Sequence, residues 1–386
     1  MPAKTATAQA VRWLREQAWP LWLAHGVDWD RGAFHEHLRE GALDCGADFR
    51  RLRVAARQTY VFAKAAQLGV PRAREAVELG LAFLRGPARL PDGGFAWRFD
   101  LGNQPIDPTR DLYDHAFVLL AFAAAAPVVR PDMLRGDARA VLGFIAEKLP
   151  HPHGGYEESI PPVRPRRQNP HMHLLEALLA AHESFDEILY FERARELIDL
   201  FVRRLFQPDE GALPEYFDER LMPLRERNGR YIIEPGHLYE WVWLLDRYAR
   251  SAAACAQPVG PELGAASAAL LRFADRFALD PATGLVVNEL WSDGSVRSGA
   301  FRLWPQTERL KAEARRPSGA GEMTAAAFAA LARHLDGVRP GLWRERINAD
   351  GSGVSEPAPA TSLYHLTAAL TDAAVMAYAG PSTITS

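Results

Sequence analysis

Apolar residues recur at three- and four-residue intervals along most of this 386-residue chain, the pattern of helices that bury one side. The periodicity predicts twelve helices, over residues 6–25, 52–69, 71–86, 110–127, 131–149, 169–185, 187–206, 236–252, 261–278, 303–315, 320–336 and 361–379. Between them a short punctuation repeats: a glycine, an aromatic or aliphatic residue, then an alternating run. It occurs at Gly32, Gly93, Gly154, Gly211, Gly284 and Gly341. These glycines lie about 60 residues apart, with one step of about 70, a spacing that marks repeated supersecondary units. A helix pair of this length leaves an apolar face uncovered, so neighbouring units have to stack. Six pairs with no linker-like change of composition predict an all-α chain: an (α/α)6 barrel of twelve helices with short β-hairpin-like loops at one end. Residues 1–386 then form a single domain, even-numbered helices inside and odd-numbered ones outside. Two helical domains joined near 150–168, where prolines cluster, are the competing arrangement.

If the even-numbered helices line a cavity, chemically capable side chains should gather at their starts. They do. Helix 2 carries Arg53, Arg57 and Tyr60; helix 4 opens with Asp111, Tyr113, Asp114 and His115; helix 6 brings Asn169, His171, His173 and Glu176. Helix 8 contributes His237 and Glu240, helix 10 Trp304 and Glu308, and helix 12 Thr361, Tyr364 and His365. Odd helices differ: Arg72, Arg74, Glu75 and Glu78 on helix 3, and Glu192, Arg193, Arg195 and Glu196 on helix 7, are dispersed surface charges. The asymmetry predicts one convergent site at one end of the ring.

His237 and Glu240 are three apart, so they share a helical face with Trp241 and Leu244. Alone, such a pair favours capping and packing over a general acid/base and its orienting partner. Its place at the start of an inner helix, matched by His173 and His365 on two others, turns the reading toward chemistry. His115 beside Asp111 and Asp114 reads as a network histidine, and His171 points away from His173. The same histidines and glutamates could bind a metal, but no His-Glu-x-x-His or equivalent ligand spacing occurs. Paired carboxylates would allow glycoside hydrolysis. Histidine, with an ordinary pKa near 6.5, is better matched to moving a proton on carbon next to a carbonyl.

Composition narrows the classes. The net charge of −3 and the lack of a basic run argue against a nucleic-acid track. Cys45 and Cys255 are far apart and show no disulfide or zinc-knuckle spacing. No apolar leader or membrane-length run is present, which predicts a cytoplasmic protein with no membrane partner.

Six stretches together resemble the N-acylglucosamine 2-epimerase superfamily: 56–62 (ARQTYVF), 111–117 (DLYDHAF), 169–177 (NPHMHLLEA), 235–241 (PGHLYEW), 302–308 (RLWPQTE) and Tyr364-His365. The match runs in order over essentially the whole chain and implies an (α/α)6 barrel. The 169–177 segment and the modest length are most similar to the D-mannose isomerase branch. The resemblance implies conversion of D-mannose to D-fructose (and of D-lyxose to D-xylulose) through a cis-enediol, with no metal or other cofactor. A sugar 2-epimerase is the alternative, and an idle sugar-binding barrel the rival outside enzymes. It further implies that His237 and His365 are the acid/base pair, that His173 assists ring opening, and that Glu240 orients His237. Arg57 would stabilise the enediolate, while Tyr113, Asn169, Arg227, Trp304 and Glu308 would line the monosaccharide site. Thr361 stands where some relatives are expected to carry a longer amide. A monomer or homodimer is expected.

Overall fold

The computed structural model of the chain describes residues 3–316 and 318–379, and among them twelve helices follow one another. Helix α1 covers residues 3–25, as Ala3–Trp13 and Trp19–His25 joined through a wider turn at Leu14–Ala18. Helices α2 to α6 are Leu52–Gln67, Ala73–Arg85, Leu112–Ala125, Pro131–Lys148 and Asn169–Phe185. Helix α7 covers 188–205, Ile188–Leu200 with a widened last turn at Phe201–Leu205. Helices α8 to α12 are Pro235–Ala254, Pro261–Phe277, Leu303–Glu313, Ala320–Leu335 and Ala360–Ala379. The spans expected from periodicity agree with these to within about three residues, the ordinary scatter of helix ends.

Helices α2, α4, α6, α8, α10 and α12 pack side by side, and α12 returns to α2 to close an inner ring. Each of α3, α5, α7, α9 and α11 lies against the inner helix before it, and α1 covers α12. This is an (α/α)6 barrel. Composition explains the layering. Helix α4 is buried at every position except Tyr113, so it needs neighbours all round. Helix α3 buries Ala73, Ala76, Val77, Gly80, Leu81, Phe83 and Leu84 but keeps Arg74, Glu75 and Glu78 in solvent.

The six punctuating glycines all adopt a left-handed backbone, with φ between 64° at Gly211 and 96° at Gly154. A side chain is strained there, so the turn that starts each loop selects glycine. The loops are not independent hairpins. The strand entering α2 (Phe49–Arg51) pairs with Arg98–Asp100, and Arg110–Asp111 ahead of α4 pairs with Ser159–Ile160. The pattern continues with Arg166–Arg167 on Tyr216–Phe217, Ile232–Ile233 on Glu289–Trp291 and Phe301–Arg302 on Arg346–Ile347. Finally Ala358–Pro359, ahead of α12, pairs with His37–Leu38 of the first loop. Each repeat is thus stitched to the next, and the last to the first, at the end where the inner helices begin. Among the described residues, no helix is long and apolar enough to cross a membrane.

Candidate active site

A cavity of about 210 Å³ opens among the starts of the inner helices. Arg57, Tyr113, Asn169, His173, His237, Glu240, Trp304, Thr361 and His365 line it, one or two from every inner helix. Gly236 explains how two of them meet. A Cβ there would run into the Trp304 ring and lie 3.1 Å from Pro305 Cα, so only a bare backbone lets the indole settle 4.8 Å from the His237 ring. The His365 ring lies 6.0 Å from the same indole.

All three cavity histidines are held alike. His173 Nδ1 contacts Glu176 Oε2 at 3.2 Å, His237 Nδ1 contacts Glu215 Oε2 at 2.7 Å, and His365 Nδ1 contacts Glu308 Oε1 at 2.9 Å. A carboxylate on Nδ1 fixes the proton there and leaves Nε2 as the working nitrogen. Each carboxylate has a second donor behind it. The Tyr364 hydroxyl donates to Glu176 at 2.5 Å, the Gln168 amide donates to Glu215 at 2.9 Å, and the Lys311 ammonium forms a close ion pair with Glu308.

Their charges differ. Burial works against a charged His237, but Glu215 and Glu234 outweigh it and hold the ring up to about 9, so it is an imidazolium at neutral pH. Burial pushes His173 down to about 4 despite its Glu176 hydrogen bond. His365 is held well below its ordinary value by burial and by the positive charges of Arg57 and Lys311. The Asn169 amide sits 3.2 Å from His237 Nε2, and its Oδ1 is otherwise buried without a partner. Turning that amide over lets Oδ1 accept the imidazolium's Nε2 proton, which satisfies both groups.

Arg57 donates to the Tyr113 hydroxyl at 2.5 Å, and its guanidinium lies 4.1 Å from the Phe117 ring centroid and 4.9 Å from that of Tyr364. It is a fixed cation on one wall. Other histidines at inner-helix starts face away. His115 Nε2 accepts the Phe95 backbone N–H and His171 Nε2 accepts that of Tyr156, while both Nδ1 atoms lie against carbonyls one turn back, at Asp111 and Arg167.

Three expectations are corrected. Glu240 does not hold His237; it has no hydrogen bond, lying 3.8 Å from His173 Nδ1 and 3.9 Å from Lys311 Nζ. Burial and nearby Glu308 push its carboxyl up to about 8, so it carries a proton at neutral pH. Glu308 is not on the cavity wall but fully buried behind His365. Arg227 is exposed, at a turn closed by the Gly229 N–H donating to the Glu226 carbonyl, and does not line the cavity. In its place the wall includes Glu234 and Arg302, each immediately ahead of an inner helix.

Glu215 was hidden by sequence distance, 22 residues before His237. A signal existed. The fourth residue after the repeat glycine is glutamate in four of the six loops: Glu36, Glu158, Glu215 and Glu345. Glu36 and Glu158 each clamp the backbone N–H and guanidinium of an arginine, Arg51 and Arg167. Glu215 lies in the one of these loops whose acid faces a histidine.

Two triads, His173–Glu176–Glu240 and Glu215–Glu234–His237, bring possible metal ligands within 4.8 Å of one another. In the first, the Lys311 ammonium already supplies positive charge beside Glu240; in the second, Glu215 is hydrogen-bonded to the ring nitrogen. A larger cavity, about 1050 Å³, opens elsewhere between the inner helices; Glu176 and Trp243 line it, and no histidine does.

The sequence model of the N-acylglucosamine 2-epimerase (GlcNAc 2-epimerase) family matches residues 32–369. The chain is 38% identical to a mannose-6-phosphate isomerase of Rhizobium meliloti (strain 1021), over 93% of this chain and 94% of that protein. It is 32% identical to a D-mannose isomerase of Thermobifida fusca, over 50% of this chain and 51% of the other. Among solved structures, cellobiose 2-epimerase from Spirochaeta thermophila DSM 6192 superimposes with a TM-score of 0.85 at 21% identity, covering 97% of both chains. A crystal structure of D-mannose isomerase superimposes with a TM-score of 0.83 at 19% identity, covering 96% of both.

Proposed function

The chain belongs to the N-acylglucosamine 2-epimerase family, and from that premise we propose that it is an aldose–ketose isomerase interconverting D-mannose and D-fructose. The coarser statement, an enzyme that isomerises or epimerises sugars, follows from the family and its relatives. The observation that carries the finer one is the opposite charge of two histidines close to one indole. Neutral His365 is a base and cationic His237 an acid, in a cavity too small for a second sugar ring. At about 210 Å³ the cavity falls below the usual range of roughly 300–1,000 Å³ for drug-sized ligands. That favours a monosaccharide over a disaccharide such as cellobiose.

The wall favours an unphosphorylated sugar in this reading: its two arginines, Arg57 and Arg302, are engaged by the Tyr113 hydroxyl and by Glu345. Glu234 adds an acidic group to the wall.

In the proposed reaction, His173 assists opening of the pyranose ring. His365 Nε2 then takes the C2 proton of the open aldose as His237 gives its Nε2 proton to the C1 carbonyl oxygen, forming a cis-enediol. Loss of the O2 proton with return of a proton to C1 yields the ketose. Arg57 stabilises the oxyanion character that develops between these steps. Tyr113, Asn169 and Trp304 hold the sugar. Glu240, neutral, is a donor to a sugar oxygen. Incubation of the purified protein with mannose in heavy water, followed by NMR, tests the reading: fructose labelled at C1 supports it. Glucose as the product assigns the epimerase, and unchanged mannose, fructose and lyxose reject both.

A further inference from the structure

Of the three carboxylates behind the histidines, only the one behind His365 is backed by a cation. Lys311 is fully buried on α10, ion-paired with Glu308 one turn earlier, and its ammonium sits 3.7 Å from the centroid of the Trp243 ring. Glu308 in turn holds His365 Nδ1 at 2.9 Å, so ammonium, carboxylate and imidazole form one chain across the base of the cavity. A lysine with no solvent contact is costly to keep charged unless an opposite charge is paired with it, and here Glu308 is that charge.

We propose that Lys311 is a positioning residue for the sugar reaction, acting through Glu308: its charge lets Glu308 fix the His365 ring without drawing a second proton onto it. Glu215, with Glu234 beside it, stabilises the His237 imidazolium against burial, whereas Glu176 by itself does not do so for His173. A carboxylate already neutralised by an ammonium still accepts the Nδ1 proton but exerts little net field. The surroundings are consistent with this. Facing Lys311 are Glu308 on its own helix, Glu240 on α8, Glu176 on α6 and Asp372 on α12. Facing His365 are Arg57 on α2, His173 and Glu176 on α6, and Lys311 and Glu308 on α10. Burial opposes the ammonium, but the acidic groups around it, Glu308 first, hold the Lys311 pKa above its ordinary value, so it stays charged throughout the working range. Lys311 is therefore, with Arg57, a permanent positive charge on the His365 side of the cavity, and the one ion-paired with the glutamate on Nδ1.

Only the kinetic part of this inference rests on the isomerase reading, so the test begins with proton occupancy. In chain labelled with ¹⁵N-histidine, the His365 signal is assigned by its loss in His365→Asn. In the wild-type chain that ring should remain neutral below the ordinary imidazole pKa near 6.5. In Lys311→Met, which keeps the buried stem over Trp243, its pKa should rise by at least about one pH unit, a tenfold gain in proton affinity. Lys311→Gln serves if the methionine variant does not fold, and Lys311→Arg should keep the wild-type value. With mannose as substrate, the acid limb of kcat/KM should move up in step, while the alkaline limb stays in place. A His365 ring whose titration is unmoved in the neutral variants overturns the inference, even if their kcat falls, because lost packing lowers activity without moving a pKa. A moved ring in a chain that converts no sugar keeps the inference and rejects the proposed function.

Discussion

His237 and His365 both lie close to the Trp304 indole, each with a glutamate on Nδ1, yet they hold opposite charge at neutral pH. The hydrogen bond to the ring is nearly the same, 2.7 Å against 2.9 Å. What differs is the next shell of charge. Behind Glu215 stands the neutral amide of Gln168, and Glu234 approaches His237 Nδ1 to 3.8 Å as a second acid. Behind Glu308 stands Lys311, and Arg57 faces the ring from α2. A His–Glu pair is thus not a device with a fixed function. Burial and the surrounding charges together decide the state of the ring: Glu215 and Glu234 hold His237 charged, burial leaves His173 neutral beside Glu176, and burial with Arg57 and Lys311 keeps His365 neutral.

The comparison is broken most severely by removing either ring. His365→Asn and His237→Asn should each lower kcat for mannose by roughly 10²–10⁴-fold, the range of a lost general acid or base, with sugar affinity preserved in equilibrium titration. A variant of either kind that kept its turnover would remove that residue from the reaction.

Next in size is Glu215→Gln, which keeps the shape but discards the negative charge holding His237 protonated. A hydrogen bond to a charged group contributes about 1.5–3 kcal/mol, so kcat should fall by roughly 10- to 150-fold. The alkaline limb should also move down from about 9 toward the ordinary imidazole value. Glu240→Gln is the sharper control. Glu240 already carries a proton below about 8, so a neutral amide is a close mimic, and at pH 7 its loss should be clearly the smaller of the two. Equal losses would restore Glu240 as the partner of His237.

The wild-type profile tests the assignment without a variant. In the proposed reaction, activity needs His365 free of its second proton and His237 still carrying its own. It should therefore rise through a pKa well below 6.5 and fall through one near 9. An alkaline fall already complete near pH 7 would mean that His237 works as a neutral ring. The smallest effect is expected at Arg227: Arg227→Ala should change stability by less than about 0.5 kcal/mol and leave kcat/KM for mannose unchanged, since the residue is exposed away from the cavity.

Much of this was legible along the chain, because helical periodicity and a glycine-marked repeat are local signals that survive without coordinates. The alternation of all-buried and amphipathic helices placed His173, His237 and His365 at one end of one ring before any contact was known. The same reasoning failed at Glu240 for an equally local reason. Spacing of three puts Glu240 on the face of His237 but one turn further along the helix, where it lines the cavity, while Nδ1 points to the loop carrying Glu215. Glu215 escaped notice because it reaches His237 from 22 residues away across a loop, and Lys311 because its effect on His365 passes through Glu308 to another repeat; Arg302 stands in the 302–308 motif, which by itself gives it no role. Arg227 was placed by its distance before His237, and distance along a loop does not set direction.

The sequence by itself therefore determined the twelve helices, their order in two layers and which three histidines converge, since each rests on burial periods of a few residues. Only the tertiary structure decided which glutamate serves which histidine, and so which ring is acid and which base. That choice depends on charges brought within a few ångströms of one another, across one folded loop at His237 and from separate repeats at His365, in an interior where water does not screen them.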